Sequence, residues 1–233
     1  MPAQVSRPWW RPLRAEGATV LHVDLASDAA RERAAFSLLN AEERERLEAF
    51  ASAEPRRRFV LCRAALRAVL GEQLGCENEQ LAFPTSEHGK PWATVDGVQA
   101  PIAFNVSHSG RHGLVAHAPE GRLGVDIEEL RTRRRLDLLM DGALGPEERR
   151  EVTARQGEEQ IRFFFRLWTM KEAVLKAHGK GFLLDATSFE IPRAVRRGEA
   201  AGTLELPQAP GVTWQLEDLS SEHFAAALAR DAG

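Results

Sequence analysis

The stretch from Gln160 to His178 constrains this chain more than any other. At about 100° per residue, Phe163, Leu167, Met170, Val174 and Ala177 fall on one stripe of a helix, which makes that stripe a core face. The opposite side carries Trp168, Glu172, Leu175 and Lys176, with Phe165 beside them. A solvated face seldom holds three large apolar groups, so the helix is expected to be buried on both sides. Such a helix needs a layer above and a layer below. Glu172 and Lys176, four residues apart, then sit in a partly dry interior, where a carboxylate needs a cation, a metal or a donor. On an open surface the same pair would be an ordinary ion pair.

The chain is long enough to build those layers. At about 150 residues per domain, its 233 residues make one large domain or two small halves, and no disulfide or metal staple is needed for a core. Hydrophobic residues are 43% and charged residues 28%, the balance of a soluble globular protein and not of a disordered one. Lys plus Arg number 31 against 34 Asp plus Glu, a formal charge of −3. The basic excess of a general nucleic-acid binder is missing. Apolar runs fall short of the roughly 20 residues that span a bilayer, and Met1 to Arg14 has no apolar segment of the signal-peptide kind. No membrane partner is expected. Cys62 and Cys76 cannot build a disulfide scaffold and read as reduced thiols of a cytoplasmic protein.

Along the chain, Ala18 to Leu25 alternates as a first strand. A charged helical stretch runs from Arg31 to Phe50. Pro55 opens a second helix, ended by Gly71 and Gly75, with arginines such as Arg58 on its polar positions. Ile102 to Val106, Leu114 to Ala118 and Leu123 to Ile127 read as strands. Ser107-His108-Ser109-Gly110 reads as a turn-like insert between the first two. Pro146 starts a further helix, and Gly179-Lys180-Gly181 ends the one at Gln160–His178. Ser188 to Ile191, Thr203 to Leu206, Val212 to Leu216 and His223 to Leu228 read as closing strands. The order predicts an α+β fold of two α/β halves with no flexible linker: an N-terminal lobe of residues 1–115 and a C-terminal lobe of residues 116–233.

Three segments carry chemistry. In Gly124-Val125-Asp126-Ile127-Glu128, residues i and i+2 share a face of a strand, so both carboxylates project together while Val125 and Ile127 enter a core. Two adjacent like charges call for a neutraliser such as Mg²⁺, although an isolated pair also fits a solvated strand end. Ser107, His108 and Ser109 offer hydroxyl and imidazole groups suited to phosphate. The chain has no G-x-S-x-G elbow, no phosphate-binding glycine loop, no H-E-x-x-H and no zinc-type Cys/His spacing. Arg58 and Lys90, joined to that Ser-His segment, suit a polyanionic nucleotide.

Phe104–Ser109, Gly124–Glu128 and Trp168–Lys176 come in the order and spacing of a known family. Together with Gly89-Lys90-Pro91 and Gly179-Lys180-Gly181, they make the chain resemble the 4′-phosphopantetheinyl transferases of the Sfp type. The resemblance implies two similar lobes related by a pseudo-twofold axis, with the site in the cleft between them, in a monomer. It implies transfer of the phosphopantetheine arm of coenzyme A to a serine of an apo acyl, peptidyl or aryl carrier protein, with release of 3′,5′-adenosine bisphosphate. Asp126, Glu128 and Glu172 are then expected to bind Mg²⁺, with Glu172 as the first candidate for the base and Lys176 on the phosphates. Ser107 and His108 are expected at the nucleotide end, His108 and Arg58 near the 3′-phosphate, and Lys90 and Pro91 along the adenine. Arg44 and Arg46 fall where the family has further basic contacts, and Glu147 where many members carry an extra acid. Two other readings use the same residues: a binding module for coenzyme A or the carrier, and a Mg²⁺-dependent hydrolase of the pyrophosphate.

Overall fold

The computed structural model describes residues 8–13, 15–87, 89–131, 136–179 and 184–231. Arg14, Lys180 and Gly181 lie outside the described residues.

Strand β1 (Trp10–Leu13) pairs with β2 (Thr19–Asp24). Helices α1 (Ala29–Ser37), α2 (Ala41–Arg46) and α3 (Ala53–Leu74) follow. The charged stretch expected as one helix is therefore two. Asn40 breaks it: its side chain accepts from the Glu43 N–H while Glu43 reaches back to the Asn40 N–H, a reciprocal cap that starts a new helix. Short strands β3 (Leu81–Ala82), β4 (Thr94–Val95) and β5 (Val98–Gln99) form a small sheet. Then β6 (Ala103–Ser109) and β7 (His112–Ala118) complete a four-stranded sheet of order β1-β2-β7-β6. Ser107, His108 and Ser109, read from sequence as a turn, are strand residues paired with β7, and the reversal occupies only Gly110 and Arg111.

The chain leaves this sheet at Ala118 and enters a second at β8 (Leu123–Glu129). Helices α4 (Leu136–Ala143), α5 (Pro146–Thr153), α6 (Gly157–His178) and α7 (Arg193–Arg196) come next. Strands β9 (Ala201–Leu206), β10 (Ala209–Asp218) and β11 (Phe224–Asp231) close the second sheet in the order β8-β11-β10-β9. Ser188–Ile191 is not a strand. Asp185 accepts from the Thr187 N–H at 2.8 Å and closes a turn there.

Three apolar clusters hold the fold. One packs α3 against the first sheet, with Trp9 and Trp10 laid on it; the Trp9 indole donates to the Leu61 carbonyl at 3.2 Å. The second surrounds α6, where Phe163, Phe164, Phe165, Leu167, Met170, Val174 and Ala177 are all buried, as expected of a helix covered on both sides. The third lies between the two sheets and contains Val20, Leu114, Val125, Ile127 and Leu228. Val125 and Ile127 enter this shared core, which turns Asp126 and Glu128 to the other face of β8. Among the described residues one ion pair is fully buried. Lys171 Nζ meets Glu148 Oε2 at 2.7 Å, and Glu148 also accepts from the Ile191 N–H at 2.7 Å. Lys171 also donates to the Ala186 carbonyl at 2.8 Å and the Phe189 carbonyl at 2.5 Å, so both groups are partnered. Among the described residues no helix is long and apolar enough to cross a membrane, and both cysteines are unpaired.

Candidate active site

The edge strands β6 and β8 meet side by side. Alternate residues of β6 reach across. Asn105 Oδ1 accepts from the Val125 N–H at 3.0 Å, Ser107 Oγ donates to Asp126 Oδ1 at 2.8 Å, and Ser109 Oγ donates to Glu128 Oε2 at 2.6 Å. Period 2 along a strand aligns these three side chains. Asn105 also occupies a main-chain donor that an edge strand would otherwise leave open. Asn105 was not among the expected site residues, and Ser109, expected with Ser107 and His108 to suit phosphate, meets a carboxylate instead. Their signal was the same alternation, hidden by reading Ser107–Gly110 as a turn.

Helix α6 packs directly on β8 because Gly124 has no side chain. A Cβ there would stand 2.2 Å from the Ala173 carbonyl oxygen and 2.4 Å from the Ala177 nitrogen. This close approach brings Glu172 and Lys176 to the carboxylates of β8. Lys176 Nζ lies 2.6 Å from Asp126 Oδ1 and 3.0 Å from Ser107 Oγ. Asp126 is buried, and its other oxygen, Oδ2, is buried with no hydrogen-bond partner among the described residues. Burial, then the Asp126 charge, raise the Glu172 carboxyl above the ordinary glutamate value; Lys176 opposes this and Glu128 adds to it. Three carboxylates therefore share one field with a single ammonium beside them. Among the described residues no three acidic, His or Cys side chains form a ready-made metal cage. The hard oxygen set and the orphaned Asp126 Oδ2 nevertheless suit a small dication.

These groups line a cavity of about 340 Å³ that holds Ser107, His108, Asp126, Glu128, Glu172 and Lys176. Six of the expected site residues are thus in one place. Ile127 also lines the cavity, and its side chain, turned into the core, offers no ligand oxygen. A second cavity of about 540 Å³ shares Val106, Trp168, Glu172 and Lys176 with the first and is otherwise walled by Lys90, Pro91, Asn105 and Leu184 among others. Lys90 and Pro91 therefore border the site, but the Lys90 ammonium is engaged with main-chain carbonyls of Leu123, Lys176 and Ala177. His108 keeps solvent access at the mouth. Loss of part of its hydration comes first in holding the imidazole below the ordinary histidine value. Its own backbone hydrogen bond opposes this, and the positive charges of Arg58 and Lys176 add to it. Arg58 pairs with Glu54, and its Nε donates to the Gly110 carbonyl at 3.1 Å, at the end of β6.

Four expected residues line neither cavity: Arg58, near the end of β6, and three that stand farther off. Arg44 and Arg46, on α2, lie over the rings of Phe36 and Phe59 at 5.1 Å each and line neither cavity. Glu147, on α5, pairs with Arg150 and Arg196 and also lies outside both cavities. Its place in sequence, at the start of a helix after Gly145, carries no information about which way that helix faces.

Residues 122–229 match the family model of the 4′-phosphopantetheinyl transferase superfamily, and residues 28–120 match that of the 4′-phosphopantetheinyl transferase N-terminal region. The 4′-phosphopantetheinyl transferase HetI of Nostoc sp. is 34% identical over 195 residues, which cover 84% of this chain and 79% of that protein. The 4′-phosphopantetheinyl transferase Sfp of Bacillus subtilis is 31% identical over 174 residues, 74% of this chain and 73% of its own. A relative from Synechocystis sp. is 38% identical over 145 residues, 62% of this chain; the match spans 58% of that relative's length.

Proposed function

The chain belongs to the 4′-phosphopantetheinyl transferase superfamily, and on that premise we propose that it transfers the 4′-phosphopantetheine arm of coenzyme A to a serine of an apo acyl, peptidyl or aryl carrier protein. The observation that carries this reading is the pair of joined cavities. One is lined by Asp126, Glu128, Glu172, Lys176, Ser107 and His108, the other by Lys90, Pro91 and apolar side chains such as Trp168 and Leu184. The first offers carboxylates that suit a dication and the Lys176 ammonium for phosphate oxygens, and the second has walls suited to a nucleoside.

In the reaction the serine Oγ attacks the β-phosphorus of coenzyme A. A new O–P bond forms, the bond to the leaving phosphate breaks, and 3′,5′-adenosine bisphosphate departs. Glu172 is the first candidate to take the serine proton, directly or through a water; in the metal-free protein burial and the Asp126 charge raise its proton affinity. Lys176 sets a fixed positive charge beside the phosphates. Ser107 and His108 hold the nucleotide end, with the Arg58 charge behind His108. Asp126, Glu128 and Glu172 are the residues that would hold Mg²⁺, whose charge would offset the negative charge building on the pyrophosphate oxygens. The buried, unpartnered Oδ2 of Asp126 supports that assignment.

The two-sheet arrangement supports two lobes meeting at the β7–β8 turn, with the site where their edge strands join. We assign the protein to the cytoplasm and to a monomeric state; the unpaired cysteines support a reducing compartment.

The test is the intact mass of apo acyl and apo peptidyl carrier proteins after incubation with this protein, coenzyme A and Mg²⁺, with and without chelator. One added phosphopantetheine on the carrier serine, lost with chelator, is the expected result. Coenzyme A cleaved without any carrier would replace transfer by hydrolysis. Coenzyme A bound and left intact would make the protein a binding module.

A further inference from the structure

Helix α6 ends in an unusual way. The last carbonyls of a helix have no partner within it. Here Gly179, with φ 83°, turns its N–H back to the Leu175 carbonyl at 3.1 Å. The next two carbonyls are met from the first half of the chain. Lys90 Nζ donates to the Lys176 carbonyl at 2.9 Å and the Ala177 carbonyl at 3.0 Å, and approaches the Leu123 carbonyl of β8 at 3.4 Å. An ammonium has three N–H donors, and here it has three acceptors. A cation at this end also complements the helix dipole.

The loop that presents Lys90 is itself fixed. The Lys90 N–H donates to Ser86 Oγ at 3.0 Å, the Ser86 N–H to the Lys90 carbonyl at 2.9 Å, and Thr85 bridges to Pro91. The Lys90 stem packs against Gly179 so closely that a Cβ there would stand 3.2 Å from Lys90 Cδ. Burial, with the Arg122 charge, lowers the ammonium to about 8, and Asp231 opposes this. It therefore keeps its proton at neutral pH. Lys176 is consequently held at both ends. Its carbonyl is taken by Lys90, and its Nζ by Ser107 and Asp126.

We propose that Lys90 is a positioning residue that clamps the last turn of α6 across the junction of the two sheets and so aims Lys176 at the phosphates. Its effect runs through Lys176 and not through a direct contact with the nucleotide. The part of the claim that concerns catalysis rests on the transferase reading; the clamp itself does not.

Two measurements separate these. In the protein without ligand, hydrogen exchange of the amides at residues 176–179 is compared in wild type, Lys90→Met and Lys90→Arg. The expected result is exchange at least about tenfold faster in Lys90→Met, confined to that turn, with Lys90→Arg close to wild type. Unchanged exchange in Lys90→Met overturns the clamp. Should Lys90→Met not fold, Lys90→Gln gives the same reading, with a shorter side chain that cannot meet both carbonyls. In carrier-loading kinetics, Lys90→Met is expected to lower kcat/KM about tenfold alone but by about twofold or less in a Lys176→Met background, since the two act in series. Full additivity, or a rise in the KM for coenzyme A with kcat intact, would overturn action through Lys176. A wild type that loads no carrier would remove the transferase reading, and the exchange result would still decide the clamp.

Discussion

Lys176 Nζ stands 2.6 Å from Asp126 Oδ1, a charged contact between the helix of the second half and the strand that faces the first. Both groups are chemically unsettled without it. Asp126 is buried and would be an unpaired charge, while Lys176 would lose the anchor that points it into the cavity.

The first prediction concerns this pair. Asp126→Asn keeps the shape and removes the charge. Loss of one preorganised electrostatic group costs about 10²–10³ in rate, and kcat/KM for carrier loading is expected to fall by that much while the folded state persists. Lys176→Met is expected to cost a similar factor, and the double variant little more than either, because the two act as a unit. Single and double variants assayed under one set of conditions check this. Multiplying losses would separate the two residues.

The second prediction concerns His108. Partial burial first, then the charges of Arg58 and Lys176, hold the imidazole below the ordinary histidine value, so it is neutral near pH 7 in the free protein. A bound phosphate favours the protonated form, so coenzyme A should bind tighter as pH falls from about 8 to about 6. His108→Ala should weaken binding by roughly tenfold near pH 6, leave kcat within about threefold, and remove that pH dependence. Calorimetric titration with coenzyme A across the range reads all three. A loss in kcat alone would remove the nucleotide contact.

Much of this site was legible in the sequence, for identifiable reasons. Asp126 and Glu128 are two apart on a strand and Glu172 and Lys176 four apart on a helix, so periodicity alone put each pair on one face. Burial of α6 on both sides followed from Trp168 and Leu175 lying opposite Phe163 and Val174. What could not be read was set by tertiary contacts. Nothing local says that Lys90 ends on the carbonyls of Lys176 and Ala177, 86 and 87 residues away. Arg44 and Arg46 belong to a helix whose direction is reset by the Asn40 cap, and that cap turned what sequence read as one long helix into two. Ser107–Ser109 looked like a turn because serine, histidine and glycine favour turns, yet pairing with β7 overrides that preference.

The third prediction is one of stability. His22 Nε2 and His112 Nδ1 lie 3.0 Å apart, and the His22 ring stacks on Phe224 of the second sheet. Burial first, then the charges of His112 and Arg11, lower His22 from 6.5 to about 4, with Asp24 opposing. The folded state therefore stays unprotonated at this site down to about pH 4, while the unfolded chain takes the proton near 6.5. The unfolded state binds more protons in that window, so stability is present above it and lost as pH falls through it. Urea denaturation between those pH values should show this loss in wild type and a shallower one in His22→Gln. Equal slopes would remove His22 as the source.

The last prediction turns on Gly124. Its missing side chain is the reason α6 can lie on β8, and the nearest helix atoms, the Ala173 carbonyl oxygen and the Ala177 nitrogen, are main-chain atoms that cannot rotate away. Gly124→Ala must therefore move the helix. Overpacking of this kind costs about 1–3 kcal/mol, which a domain of this size can survive. The functional cost should be larger in proportion. Glu172 lies one residue before Ala173 and Lys176 one before Ala177, so the displaced turns are the ones that carry the site. A misplacement of about 1 Å lowers turnover roughly 10²-fold. The variant is expected to remain folded, with a melting temperature a few degrees lower, and to load carrier about a hundredfold more slowly at temperatures where it is fully native. A folded variant with wild-type loading would mean that the approach of α6 to β8 does not set the geometry of Lys176 and Glu172 over Asp126.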